Sequence, residues 1–239
     1  MNIILCGYGK MGVMLEGLAL QSEDMSILGV VHPGLYESAL DVPGQADVII
    51  DFSYPGNLTD ILERARRDGA AVVIGTTGFS EAQLSEIQDA SKALRVMHSS
   101  NYSIGVAVLK RAVAMVAPAL RDSFDIEIVE THHNQKVDAP SGTARMLLKA
   151  VDPDDSFDHI YGREGVTGAR GREIGIHALR GGTVAGEHSV FFFGPDETLE
   201  FRHSAASRKI FAVGAMRAAR FVVNQPAGLY NMDDVLAEN

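Results

Sequence analysis

The segment that decides the fold begins the chain and reads Asn2-Ile3-Ile4-Leu5-Cys6-Gly7-Tyr8-Gly9-Lys10-Met11-Gly12. Its apolar start predicts a buried strand, and the G-x-G-x-x-G pattern then follows that strand and opens a helix. In such a loop the three glycines permit a tight turn, close approach of a pyrophosphate, and packing of helix on strand. The helix start adds N–H groups and a partial positive charge. The segment therefore predicts dinucleotide binding, with a purely structural turn as the alternative.

One part of the dinucleotide-binding pattern is missing. An acidic residue that binds the ribose hydroxyls is expected about 20 residues after the glycines. The sequence has Val31-His32-Pro33-Gly34 at that place. The residues after the second strand therefore do not show which ribose form of the dinucleotide would be preferred.

The first half of the chain alternates short apolar runs with amphipathic stretches. The predicted strands are Asn2–Cys6, Ile27–Val31, Val48–Phe52, Val72–Ile74 and Arg95–His98. Helical spacing appears in Met11, Met14, Leu15 and Leu18, and again in Leu58, Ile61, Leu62 and Ala65. A third helix begins at Ser80, where Gln83 completes the spacing of a capping box. This succession predicts an α/β domain with a parallel sheet and right-handed crossovers.

The pattern changes after about Asn101. Helices are predicted at about Gly105–Leu120 and Thr143–Val151, and strands at Phe124–Thr131, Ile174–Arg180, Val184–Phe193 and Thr198–His203. The polar, glycine-rich segment Gly162–Gly171 is predicted to be a mobile loop. We expect a smaller α+β domain with a mostly antiparallel sheet over residues 102–207. Residues 208–239, which begin with a helix at about Arg208–Val223, are expected to complete the first domain of residues 1–101.

Composition narrows the class of protein. The chain has 239 residues, of which 46% are hydrophobic and 22% charged, so it can form a sizeable core and is not disordered as a whole. The net charge of −10, with no basic cluster beyond Arg64, Arg66 and Arg67, argues against a nucleic-acid partner. No apolar run is long enough for a membrane span, and no signal peptide is recognised. A lone cysteine, Cys6, fits the cytoplasm.

The densest group of reactive side chains lies between Glu127 and Ala144. His132, His133 and Lys136 follow a predicted strand, where a histidine can supply a proton and a lysine can neutralise an anion. Pro140-Ser141-Gly142-Thr143 opens the next helix, whose N–H groups can bind a carboxylate. The pattern predicts a site for an anionic substrate that receives protons. An ordinary capped helix behind a polar loop is the alternative.

Other candidate residues are interpreted more simply. A metal site of His132 and His133 with Glu130 and Asp138 is not expected, because neighbours on a strand face opposite ways. Gly75-Thr76-Thr77-Gly78-Phe79 follows an apolar strand, where α/β sheets bind ligands, or it is a plain connection. His177 and His188 are interpreted as sheet residues with satisfied polar atoms. The segment His203–Arg208 can reach the site but is interpreted as a linker and helix cap.

The segment Glu127–Ala144 resembles the signature of the 4-hydroxy-tetrahydrodipicolinate reductases, also called dihydrodipicolinate reductases, of bacterial lysine biosynthesis. That signature is E-[LIV]-x-E-x-H-H-x-x-K-x-D-A-P-S-G-T-A, and every fixed position is matched. The resemblance extends along the chain through the glycine loop, Asp51-Phe52-Ser53, Gly75–Phe79, Ser100–Ser103, Arg180–Thr183, Gly186–His188 and Gly228–Tyr230. An eighteen-residue match in register with a glycine loop is highly specific.

The resemblance implies a Rossmann domain and a smaller substrate domain whose open sheet assembles a homotetramer. It implies reduction of 4-hydroxy-tetrahydrodipicolinate, a small dicarboxylate, with NADH or NADPH and loss of water. His132 would be the proton donor and acceptor and Lys136 a second proton donor, while His133, Gly142 and Thr143 would bind substrate. The cofactor would contact Gly7, Tyr8, Gly9, Lys10, Met11, Gly12, Gly75, Thr76, Thr77, Ser99, Ser100, Asn101 and Tyr102.

The chain departs from many family members in two places. Its first glycine loop and the stretch before Asp51 are compact, and His32-Pro33-Gly34 replaces the acidic residue often found after the second strand. The preference between NADH and NADPH therefore does not carry over. Another two-domain nicotinamide oxidoreductase would share the glycine loop but not His132 through Thr143. A non-catalytic dinucleotide sensor would need a partner surface that the sequence does not reveal.

Overall fold

The computed structural model describes residues 1–237 and divides the chain into two compact units. The first unit contains Met1–Ile104 and the segment from Lys209 onward, and the second contains Gly105–Arg208. No helix within residues 1–237 is long and apolar enough to cross a membrane.

The elements alternate as the hydrophobic pattern predicts. The first unit begins with β1 (Asn2–Cys6), α1 (Lys10–Leu20), β2 (Ser26–Val31), β3 (Val48–Asp51), α2 (Leu58–Asp68), β4 (Ala71–Ile74), α3 (Glu81–Ala90) and β5 (Arg95–His98). The second unit has α4 (Ile104–Leu120, whose first residue belongs to the first unit), β6 (Asp125–His132), α5 (Gly142–Val151), β7 (Asp158–Ile160), β8 (Glu173–Arg180), β9 (Gly186–Phe193) and β10 (Thr198–Ala205). The chain then adds α6 (Lys209–Val222), β11 (Gly228–Tyr230) and α7 (Met232–Ala237) to the first unit.

The sheet of the first unit has the strand order β11-β5-β4-β3-β1-β2, and all of its ladders are parallel. After β1 the chain moves to one side to form β2, and then to the other side to form β3, β4 and β5. The switch point therefore lies at the carboxyl end of β1, next to β3. Open α/β sheets bind ligands at such a point, and the glycine loop lies there.

Helices cover both faces of this sheet, so its strands are apolar on both sides. On one face Ile61 and Leu62 of α2 and Ile87 of α3 pack with strand residues in a single buried cluster. On the other, α6 contacts α1, β4 and β5. Gly214 of α6 allows this helix to pack against the backbone of Tyr102. A Cβ atom on Gly214 would lie 1.6 Å from the Tyr102 carbonyl oxygen.

The sheet of the second unit has the order β10-β9-β6-β8-β7. The β10–β9 and β9–β6 ladders are antiparallel, and the β6–β8 and β8–β7 ladders are parallel. One face of the sheet, including Ile126 and Ile128, forms a core with α5 and with Val113 and Ala117 of α4. Side chains alternate along β6, so Glu130 and His132 lie on this same face beyond the core residues.

The fold-class prediction is confirmed, and most predicted strands and helices shift by one or two residues at their ends. Two short strands, β7 and β11, were not predicted, since three residues carry too little periodicity. The loop Gly162–Gly171 has no regular structure, and an arginine near each of its ends binds it to the sheet. Arg163 donates to Glu127 and Glu173, and Arg170 donates to Glu127 and to the Ile126 carbonyl.

Candidate active site

The β6–α5 connection brings together the reactive side chains of the second unit. His132 ends β6, and the loop after it returns to α5, where Ser141 is the N-cap and accepts a hydrogen bond from the Ala144 N–H at 3.2 Å. The loop is held against the β8–β9 turn, because the N–H of His133 donates to the Val184 carbonyl at 2.8 Å. A strand end and a helix start therefore meet at one group of polar side chains.

Glu130 is the buried centre of this group, with no exposed surface. Its carboxylate accepts hydrogen bonds from His132 Nδ1 at 2.6 Å, from both terminal nitrogens of Arg180 at 2.8 and 2.7 Å, and from the Ser141 N–H at 3.0 Å. Burial alone raises the pKa of Glu130, but these hydrogen bonds outweigh it and lower the pKa to about 2. Glu130 is therefore ionised throughout the physiological range.

Two further features surround His132. The ring of His188 lies edge-on to it, with centroids 5.1 Å apart. Gly186 lies beside the other ring nitrogen, Nε2, and has no side chain to crowd it. A Cβ atom on Gly186 would lie 3.1 Å from His132 Nε2. His132 is thus held through Nδ1, and its Nε2 lies beside a position without a side chain.

His188 is almost fully buried on β9, and its Nε2 lies 3.0 Å from the Ser141 hydroxyl. Burial and the nearby His132 lower the pKa of His188 to about 4, so it is neutral near pH 7. Its Nδ1 has no hydrogen-bond partner within the described chain. The prediction of a sheet residue with satisfied polar atoms was therefore wrong for this nitrogen.

Two cationic side chains lie in or against this loop, one from the loop itself and one from the segment after β10. Lys136 Nζ pairs with Asp138 at 2.7 Å, and this hydrogen bond lowers the pKa of the Asp138 carboxyl. Arg208 lies 3.0 Å from His133 Nε2, although it is 75 residues away along the chain. The interpretation of His203–Arg208 as only a linker and cap was therefore wrong for Arg208. Together these groups make the surroundings of His132 and His133 favourable for an anion.

The start of α5 presents Gly142 and Thr143 beside this group. Gly142 is exposed, and a Cβ atom added to it would meet no atom within 4 Å. Thr143 is half-buried in the first turn. N–H groups at a helix start attract a carboxylate, and open space around Gly142 allows one to approach the backbone.

In the first unit the glycine loop is shaped by steric limits. Gly7 has φ +92°, and a Cβ atom there would lie 2.4 Å from the Phe52 carbonyl oxygen. A Cβ atom on Gly12 would lie 2.1 Å from the Gly7 carbonyl oxygen, whereas one on Gly9 would meet nothing within 4 Å. Gly9 is the N-cap of α1, and no side chain caps this helix. The loop therefore leaves a backbone cradle that a pyrophosphate fits.

The side chains of this loop point to different partners. The Tyr8 hydroxyl donates to Glu16 at 2.5 Å, and the His32 ring meets the Tyr8 ring edge-on at 5.3 Å. Lys10 is exposed and Met11 is half-buried on the first turn of α1. His32 therefore lies next to the glycine loop, at the end of β2 where the expected carboxylate is missing.

The other predicted cofactor segments follow β4 and β5, at the same edge of the parallel sheet. Gly75 lies against Phe52, and Thr77 is exposed. The buried Thr76 accepts a hydrogen bond from the Ser53 N–H at 2.9 Å, so its side chain has a structural role.

After β5, Ser100 is exposed, and Ser99 donates to the Asn101 carbonyl at 2.8 Å. Asn101 Oδ1 accepts from the Ser103 N–H at 2.8 Å. The Tyr102 ring is buried, and its hydroxyl donates to the Ile74 carbonyl at 2.7 Å. Among these residues, the exposed Ser100 side chain and the backbone remain as surfaces for a ligand.

The sequence matches a known protein family along almost its whole length. Family models described as dihydrodipicolinate reductase, N-terminus and C-terminus, match residues 1–102 and 105–236. A 4-hydroxy-tetrahydrodipicolinate reductase of Exiguobacterium sp. is 41% identical over 244 aligned positions, covering 100% of this chain and 96% of the relative. The chain belongs to the dihydrodipicolinate reductase family. A relative of the same name from Caldanaerobacter subterraneus subsp. tengcongensis is 42% identical over 95% of this chain and 94% of its own length.

Solved structures agree on the fold. A dipicolinate-bound dihydrodipicolinate reductase from Paenisporosarcina sp. TG-14 matches with a TM-score of 0.78 over 98% of both chains, at 23% identity. A probable dehydrogenase from Thermotoga maritima matches with a TM-score of 0.61 at 9% identity, covering 99% of this chain and 93% of its own. At these identities the neighbours show a shared fold and nothing more specific.

The structure brings the five predicted catalytic and substrate residues into one part of the second unit: His132, Lys136, His133, Gly142 and Thr143. The sequence analysis did not assign Glu130, Arg180 or His188 to this group, and it interpreted Arg208 as part of a linker although that segment can reach the site. Period-two alternation on β6 was a usable signal for Glu130, because it shares a face with His132. The other three residues come from distant strands and a loop, so they carried no local signal.

Proposed function

We propose that this member of the dihydrodipicolinate reductase family reduces 4-hydroxy-tetrahydrodipicolinate to tetrahydrodipicolinate, with a reduced nicotinamide dinucleotide and loss of water, in lysine and diaminopimelate biosynthesis. The observation that carries the proposal is that Glu130 bonds both His132 and the Ser141 N–H at the start of α5, next to Gly142 and Thr143, inside a chain that matches named reductases over its full length. A proton donor beside a carboxylate-binding helix is what reduction of an anionic, unsaturated ring requires.

On the substrate side, each residue has a distinct role in the proposal. Gly142 and Thr143 bind one carboxylate of the substrate, and His133, supported by Arg208, contacts the substrate from the loop. His132 exchanges a proton at Nε2. Lys136, now paired with the exposed Asp138, supplies a second proton or charge. The three cationic side chains of the cluster, Lys136, Arg180 and Arg208, outnumber its two carboxylates, Glu130 and Asp138, which favours an anionic substrate.

On the cofactor side, the steric cradle of Gly7, Gly9 and Gly12 fits a dinucleotide. Gly9 admits a pyrophosphate, and the uncapped start of α1, with Lys10 and Met11, supplies N–H groups. The backbone and exposed atoms of Tyr8, Gly75, Thr76, Thr77, Ser99, Ser100, Asn101 and Tyr102 complete the proposed contact set. When bound, the nicotinamide supplies a hydride, and both NADH and NADPH are proposed to serve.

We also propose a homotetramer that forms through the sheet of the second unit, in a cytoplasmic enzyme. The face of this sheet opposite α5 exposes apolar side chains, including Leu179 and Phe193, which are 49% and 40% exposed. Exposed apolar side chains on a broad sheet face are a common feature of association surfaces. The single cysteine is buried and forms no disulfide, which suits a reducing compartment.

One assay separates the alternatives. The protein is mixed with NADPH and enzymatically generated 4-hydroxy-tetrahydrodipicolinate, and nicotinamide absorbance is followed, with a no-substrate control. We expect oxidation that depends on the substrate and is lost in His132→Gln. NADPH binding without oxidation would indicate a dinucleotide sensor. Oxidation with another amino-acid-derived substrate but not this one would indicate a different two-domain oxidoreductase.

A further inference from the structure

Glu130 and Glu127 occupy opposite faces of β6 and have different surroundings. Glu127 binds Arg163, Arg170 and His177 on the face away from α5. Glu130 lies on the same face as His132, and four donated hydrogen bonds converge on its two oxygens. Only Glu130 therefore touches a residue proposed to take part in the reaction.

The hydrogen bonds to Glu130 determine which nitrogen of His132 carries the proton. An ionised carboxylate only accepts hydrogen bonds, and it lies 2.6 Å from Nδ1. His132 must therefore donate from Nδ1 in both its neutral and its charged forms. Nε2 is left as the atom that loses or gains a proton, beside Gly186, where a side chain would crowd it.

Arg180 completes this arrangement. Its guanidinium binds both oxygens of Glu130, so the carboxylate keeps a charge partner whether or not His132 is protonated. The same guanidinium donates to the Asp138 carbonyl at 2.7 Å, and Glu130 accepts from the Ser141 N–H. One buried carboxylate thus connects the histidine with the loop of Lys136 and the start of α5.

Stability alone is a weak reason for this arrangement. Glu130 is fully buried and the Arg180 side chain is partly buried, removing such charges from water is expensive, and ion pairs of this kind are often no more stabilising than apolar residues of similar size. A buried, fully bonded carboxylate directly behind a proposed proton donor is typical of residues that orient a catalytic histidine.

We propose that Glu130 is the positioning residue for His132: it fixes the imidazole with its proton on Nδ1, so that Nε2 exchanges the proton with substrate. Glu130 itself touches no reacting atom. This inference rests on the proposed reductase function and adds to it the tautomer and the residue that determines it.

The first test uses the unmodified protein and requires no activity. The protein is labelled with ¹⁵N-histidine, and the His132 signals are assigned by their loss in His132→Gln. At a pH where histidines are neutral, we expect His132 to carry its proton on Nδ1, the less common tautomer of free histidine. A proton on Nε2 would overturn the proposal.

The second test is a double-mutant cycle with kcat as the readout. Glu130→Gln presents an amide N–H to a group composed only of donors, so it cannot keep all four hydrogen bonds. We expect kcat to fall at least about tenfold with little change in KM, and by no more than His132→Gln itself causes. Glu130→Gln added to His132→Gln should cause little further loss, because both changes remove one function.

Glu127→Gln is the matched control, since it makes the same chemical change on the other face of β6. We expect it to leave kcat within about twofold and the His132 signals unchanged. Equal losses in both glutamine variants, or full multiplication of the Glu130 and His132 effects, would mean that Glu130 acts only through the folding of β6. Absence of reductase activity in the unmodified protein would refute the proposed function, while the tautomer measurement would still test Glu130.

Discussion

The glycine loop after β1 and the loop before α5 are both strand-to-helix connections, yet they differ in what they present. At the first, the helix start has a glycine N-cap and no side-chain cap, and its shape depends on backbone contacts. At the second, Ser141 caps the helix, and a network of buried side chains surrounds it. A cradle of backbone atoms suits a group such as a pyrophosphate, which many ligands share. A network of titratable side chains suits one particular reaction.

The largest effect on kcat is expected at His132, the side chain proposed to exchange a proton with substrate. General acid catalysis contributes roughly 10²–10⁴-fold, so His132→Gln should lower kcat by about that factor at saturating substrate. Lys136→Ala should lower kcat as well, and the double variant should be less damaged than the product of the single effects. Steady-state kinetics with NADPH measures all three.

Dinucleotide affinity is the control for these variants. NADPH fluorescence titration should show the same dissociation constant in each, because His132 and Lys136 belong to the second unit. Near-normal kcat in both single variants would contradict a proton-transfer role and make the pair binding groups.

A smaller effect is expected at the start of α5. Thr143→Val removes one hydroxyl and roughly keeps the shape of the side chain. Substrate binding should weaken by about 1.5–3 kcal/mol, the usual value of a hydrogen bond to a charged group. Isothermal titration with a substrate analogue such as dipicolinate measures the loss. If NADPH affinity fell while analogue affinity did not, Thr143 would belong to the other site.

Two alanine variants test the role of the glycine loop. Gly12→Ala places a Cβ atom against the Gly7 carbonyl, so the folded state should lose roughly 1–3 kcal/mol in urea unfolding, as overpacked sites do. Gly9→Ala is the matched control, because its Cβ atom would meet no protein atom within 4 Å. Because alanine is a poorer N-cap than glycine, it should cost some stability, but less than Gly12→Ala does, and it should weaken NADPH binding. Unchanged NADPH affinity in Gly9→Ala would place the pyrophosphate elsewhere.

The smallest effect concerns the choice of cofactor. His32 stands where a carboxylate would repel a 2′-phosphate, and its ring lies against Tyr8 of the glycine loop, so NADPH should serve no worse than NADH. The ratio of kcat/KM values for the two dinucleotides measures this preference. A hundredfold preference for NADH, or about 2.7 kcal/mol, would show that another group replaces the missing acid.

Local pattern was sufficient for much of the molecule. Apolar runs such as Val72–Ile74 predict strands of a covered sheet, and Ser80 with Gln83 predicts a helix start that the structure shows with both capping hydrogen bonds. These features depend on residues within one turn or one strand, so the sequence contains the whole signal. The same holds for the cradle glycines and for the grouping of His132, Lys136 and Thr143 within a dozen residues.

Register and long-range pairing were decided only by the tertiary structure. The pairing of β6 with β8 and β9 brings Arg180 and His188 to Glu130, and the end of the second unit brings Arg208 to His133. The sequence by itself determined the two-domain fold and the residues proposed to exchange protons with substrate. The tertiary structure decided that Arg180 and His188 join Glu130 and His132, because strand register, a relation between residues 48 or more apart, sets the partners of a buried charge.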